Sequence, residues 1–182
     1  MNIQVKGGTK RQRRAVEHCA DWCAFDLLGS RLYKSCVLDI DLLIPEGGYG
    51  FCIWEDCNLR PRHFSIEIDK RLDTEDCLIT LCHEMIHVKQ YAKSEMREMY
   101  NGGYRVEWKG RKIGEKTHYK NTPWEKEAYA KEIKLYEKYI RSCPVKFEWP
   151  ENYNIRSEAN KLKSCMYEIN EKIVSINNLP PI

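Results

Sequence analysis

The chain has 182 residues, of which 42% are hydrophobic, 31% are charged and nine are cysteine, with a net charge of +3. That length suits one domain with a sizeable core and a short appendage. The charge is too small to argue for a nucleic-acid partner by itself, and the absence of any run of about 18 apolar residues excludes a membrane-spanning helix.

Residues 1–9 are read as a disordered basic arm, because Lys6, Lys10, Arg11, Arg13 and Arg14 follow one another without an acid. A helix is expected from about Arg11 to Leu28, with Val16, Cys19, Ala20, Cys23 and Leu27 inward and Gly29 at its end. Leu38, Ile40, Leu42 and Ile44 recur with strand periodicity, Pro45-Glu46-Gly47-Gly48 is a turn, and Tyr49 to Trp54 is a second strand. Phe64, Ile66 and Ile68 alternate with Ser65, Glu67 and Asp69 in a third. Short connections predict antiparallel neighbours.

Asp73 is a good N-cap for a helix from Thr74 to about Tyr91, with room to continue to Met99 before Asn101-Gly102-Gly103. Tyr104, Val106 and Trp108 alternate as another strand. Thr122-Pro123-Trp124-Glu125 opens a helix reaching about Arg141: a capping threonine, a proline at the first position, and Glu125 as the capping partner. Pro144 and Pro150 mark a boundary before a last helix over 156–176, whose apolar stripe is expected to dock on the domain. The division is thus a basic arm (1–9), a domain (10–141) and a C-terminal extension with one helix (142–182).

The chemistry concentrates in His83-Glu84-Met85-Ile86-His87, an H-E-x-x-H sequence. Residues four apart stand on one face of a helix, so His83 and His87 can aim at one ion, with Glu84 beside them as a proton acceptor. The flanking sequence from Leu78 to Val88 is apolar on nearly every side, as in a buried helix. Two histidines and a glutamate buried there are costly unless a metal with its water satisfies them. Zinc is the expected cofactor from the ligand types.

A catalytic zinc takes a third protein ligand. Glu127 is the expected one, with small Ala128 and Ala130 beside it to allow close helix approach; the ordinary alternative is a surface pair with Lys131. His118 is the rival ligand. Tyr119, His118 and Tyr129 are candidate oxyanion donors. Cys19, Cys23 and Cys82 are read as packing. No C-x-x-C pair exists, which argues against a zinc ribbon.

The stretch Cys82 to Tyr91, with Pro123-Trp124-Glu125-Lys126-Glu127-Ala128 downstream, resembles the zincin metallopeptidases. Together with Trp54-Glu55-Asp56, Arg60-Pro61-Arg62, Phe64-Ser65-Ile66 and Trp108-Lys109-Gly110, it looks most like the small SprT-like metallopeptidases of bacteriophages and other viruses. The likeness covers roughly residues 10–141. No histidine follows the motif where SprT proteins place their third ligand, and the Glu127-Ala128 pair is more similar to gluzincins. The resemblance implies an α+β fold: a small mixed sheet of three to four strands against the motif helix, flanked by the N-terminal and downstream helices.

The expected function is peptide-bond hydrolysis by a metal-activated water, with Glu84 as general base and a peptide or protein as substrate. The alternative is a non-hydrolytic zinc module holding protein or DNA through the basic segment from Arg105 to Arg141, a weak nucleic-acid contact being allowed. Without an apolar signal region, reduced thiols in the cytoplasm are expected, the host's if the protein is viral.

Overall fold

The computed structural model describes residues 1–56, 59–99, 105–113 and 117–143. The chain order is β1 (Asn2–Gly7), α1 (Lys10–Ser35), β2 (Val37–Leu43), β3 (Gly50–Trp54), β4 (His63–Asp69), α2 (Thr74–Ala92), β5 (Met96–Met99), β6 (Arg105–Trp108), β7 (Arg111–Ile113), a short 3-10 turn (Tyr119–Asn121) and α3 (Pro123–Ser142). This is an α+β architecture with two sheets among the described residues, β1-β2-β4-β3 and β5-β6-β7. The expected C-terminal boundary and last helix lie outside the described residues.

The expected disordered arm is a strand. β1 pairs parallel with β2, Ile3 opposite Leu38 and Val5 opposite Ile40. Ile3 and Val5 alternate with exposed Asn2, Gln4 and Lys6 and pack against the core. The basic residues fall at the end of this strand and on the first turns of α1, where the Arg13 guanidinium donates to the carbonyls of Gly7 and Gly8 at 2.7 and 2.8 Å. Thr9 caps α1, its hydroxyl accepting from the Gln12 amide while the Gln12 side chain accepts from the Thr9 amide. Gly29 interrupts α1 rather than ending it, taking φ 73°, and the helix resumes to Ser35.

The sheet also departs from the antiparallel expectation. α1 is a crossover that returns the chain parallel to β1, and β2 pairs parallel with β4. Only β3 runs antiparallel, on the outer side of β4. Leu38, Ile40, Leu42, Phe64, Ile66 and Ile68 form one buried face, in a single cluster with Val16, Cys19, Ala20 and Cys23 of α1 and Leu78, Leu81, Met85 and Ile86 of α2. The motif helix is thus pinned between α1, the sheet and α3, with fifteen buried residues from Cys77 to Ala92.

α2 begins as expected, with the Asp73 carboxylate accepting from the Asp76 amide at 2.8 Å. It ends at Ala92, within a residue of the expected Tyr91, and the continuation to Met99 is not taken. Ser94 takes φ 57°, and Met96–Met99 turns back as β5, pairing antiparallel with β6. Thr122 occupies the N-cap of α3, but its hydroxyl donates to the Tyr119 carbonyl rather than capping the helix. Pro123 stands at the first helical position.

Candidate metal centre

Two buried groups of side chains among the described residues could hold a metal ion: His83 with His87 and Glu125, and Cys19 with Cys23 and Cys82. In the first, one turn of α2 brings the two Nε2 atoms to 3.2 Å from each other. The first turn of α3 brings the Glu125 carboxylate up to them, Oε1 at 3.2 Å from His87 Nε2 and Oε2 at 3.4 Å from His83 Nε2. α3 can come this close because Ala128, one turn further on, is fully buried and presents only a methyl group.

The carboxylate that joins the two histidines is therefore Glu125, not Glu127. Glu127 lies two residues on, turned away from the histidines. Its carboxylate faces Lys131 at 2.6 Å, Lys109 at 3.4 Å, Lys89 at 3.5 Å and the Gln90 amide at 3.1 Å. The i+4 pair with Lys131, weighed as the ordinary alternative, is present. His118 is exposed and stands outside the group. Glu125 carries the sequence signature of a capping partner, three residues after Thr122, and that signature concealed its role.

The outer nitrogens of both imidazoles meet oxygen. His83 Nδ1 lies 2.7 Å from Glu132 Oε2, about two helical turns beyond Glu125, and His87 Nδ1 lies 2.8 Å from Gln90 Oε1. When the ring protons sit there, the two Nε2 atoms turn lone pairs toward each other and a carboxylate. Glu125 Oε2, buried, has no hydrogen-bond partner. Three such acceptors aimed at one point call for a cation, either a proton on His83 or a metal ion. Two imidazoles and one carboxylate are a donor set that zinc takes, so the residues fit that ion.

The same electrostatic demand is written in the acid–base behaviour of the group. Burial works against a charged His83, yet the carboxylates of Glu125 and Glu132 raise it to about 9. Burial likewise opposes ionisation of Glu125, but the two histidines hold it down at about 2. Glu84 is different: burial lifts it to about 6 against the pull of His87 and His83. A carboxyl in that range accepts and returns a proton near neutrality.

Glu84 points along α2 toward β3. Gly50 leaves the space it needs, since a methyl group there would come within 2.7 Å of Thr80 Cγ2 and 2.9 Å of Glu84 Oε1. A cleft of about 360 Å³ opens at this point, lined by Gly50, Glu84, His87, Glu125, Tyr119 and Trp124 among others. Of these, Tyr119 is largely exposed. Tyr129 sets its ring edgewise on His83, with centroids 4.7 Å apart.

The cysteine group sits between α1 and α2. Cys23 Sγ lies 4.0 Å from Cys19 Sγ and 3.9 Å from Cys82 Sγ, and all three side chains are fully buried. Such separations equally suit thiols packed as small apolar groups. Compared with known proteins, the chain matches no family profile, no curated sequence and no solved structure.

Proposed function

We propose that the protein is a zinc-dependent peptidase of zincin type, with His83, His87 and Glu125 as metal ligands and Glu84 as general base. The observation that carries the reading is the convergence of two buried imidazole nitrogens and a carboxylate, one of whose oxygens has no hydrogen-bond partner, beside a second buried carboxyl, Glu84. A structural zinc site is closed and has no use for that fourth group. When bound, the ion would polarise a carbonyl and acidify water.

The chain's own residues supply the remainder. Glu84, buried and lifted toward neutrality, takes the proton of the attacking water and passes it to the leaving amine. Tyr119, which lines the same cleft as Glu84 and Glu125, is the hydroxyl offered to the developing oxyanion. Glu132 holds the His83 ring in orientation. β3 is an edge strand that starts beside Glu84, so an extended peptide can add to it by main-chain hydrogen bonds and lay its carbonyls along the cleft. No helix among the described residues is long and apolar enough to cross a membrane. The seven described cysteines are free thiols, which supports a reducing compartment such as the cytoplasm.

Metal analysis and cleavage of an unfolded protein, with and without a chelator, test the reading. Glu84→Gln retains zinc and loses about 10²- to 10⁴-fold in turnover. Glu125→Gln and His87→Ala lose the metal, whereas His118→Gln keeps it. A parent protein that stays empty after resupply with zinc ends the proposal.

A further inference from the structure

Glu127 is not among the ligands, yet it is the hub of the densest ionic contact near the site, touching Lys89, Lys109, Lys131 and Gln90. What it does follows from His87. For Nε2 of that ring to be bare, the ring proton must sit on Nδ1. Nδ1 meets the Gln90 side chain at 2.8 Å. A glutamine amide can offer either its oxygen or its NH₂ group, and only the oxygen keeps the proton on Nδ1.

The far end of the same amide makes the choice. Gln90 Nε2 lies 3.1 Å from the Trp124 carbonyl oxygen and 3.1 Å from Glu127 Oε2. Both are acceptors without a proton to give. A reversed amide would set its oxygen against two oxygens, and Gln90, at 0% exposure, could not turn to solvent for relief. The lysines hold the Glu127 carboxylate where this contact needs it.

We infer that Gln90 and Glu127 are positioning residues that fix the tautomer of His87, so that a lysine-ringed carboxylate on α3 sets the metal affinity of a centre it never touches. The inference rests on the metal reading above. Orienting contacts of this kind are worth about 10- to 100-fold in metal affinity.

The test is zinc affinity, measured by competition with a chromogenic chelator on folded, metal-stripped protein. Gln90→Leu, which has no acceptor for His87, binds zinc about 10- to 100-fold more weakly. Gln90→Glu keeps the acceptor but turns a carboxylate toward Glu127, and also binds more weakly. Adding Glu127→Gln to Gln90→Glu returns a donor to that contact and recovers most of the loss, where independent structural damage would add. Parental affinity in Gln90→Leu, or a double variant no tighter than Gln90→Glu, overturns the inference. Should Gln90→Leu fail to fold, the comparison of Gln90→Glu with the double variant decides alone. A parent that takes up no zinc overturns the metal reading together with this one; a parent that loads while the variants match it overturns only this one.

Discussion

Gly50 shows how one missing side chain makes room for a buried carboxyl. β3 passes so close to α2 that a methyl group would meet both Thr80 and Glu84. Gly50→Ala therefore pushes on a buried carboxyl. Equilibrium urea unfolding should show a loss of about 1–3 kcal/mol, as for other overpacked sites, and turnover should fall with zinc content unchanged. Cys77 is a residue of the other sort, buried with no task in the site. Burial, followed by the nearby carboxylates of Asp73, Asp69 and Asp76, pushes its thiol from an ordinary 9.0 up to about 12. The folded state holds that proton more tightly than the unfolded state. Its contribution to stability is complete below pH 9 and is lost as the pH rises towards 12. Urea midpoints at pH 8 and pH 10 should separate more in the parent than in Cys77→Ala. Legibility also divides at this scale. His83, Glu84 and His87 were readable because helical spacing alone brings them together. The third member of the buried group was not, because Glu125 and Glu127 share one helix turn and only the docking of α3 on α2 decides which faces the histidines.

Among the elements, those with strong local signals formed where the sequence placed them. Asp73 caps α2 and Pro123 opens α3, and β2, β3 and β4 lie within a residue or so of their apolar alternations. The failures have a common cause, which is partnership at a distance. Ile3 and Val5 are too few to declare a strand without β2 beside them, and basic neighbours outweighed them in the sequence. Parallel pairing of β2 with β4 could not be read from short loops, because β3 steps aside to the edge. Nor could the reversal at Ser94, since a positive φ at a serine leaves no compositional mark. The two-helix origin of the centre has its own consequence. His83 and His87 come from α2 and Glu125 from α3, so a bound ion would clamp the start of one helix to the middle of the other. Amide hydrogen exchange in the first turns of α3 should slow on zinc loading and quicken on chelation, while β2 and β4 stay unchanged.

At the scale of the molecule, the four-stranded sheet is covered on one face by α1 and α2, and the second, three-stranded sheet contributes Met96, Glu98, Val106 and Ile113 to the cleft. That second wall had only one strand visible in advance, Tyr104 to Trp108. Its first strand, Met96–Met99, lay in the stretch into which the motif helix had room to continue, and its third, Arg111–Ile113, has too few residues to show a period.

The border strand beside Glu84 is also a hazard to the chain that owns it. Among the described residues nothing pairs with the rim of β3 away from β4, and Phe51 and Ile53 stand 37% and 48% exposed on its outward side. Such a rim welcomes any extended backbone, including that of a sister copy. Without a substrate the protein should therefore self-associate as its concentration rises, and Ile53→Lys should suppress this in sedimentation velocity. A peptide seated along this rim should act as a solubiliser, dispersing the aggregates whether or not it is cleaved.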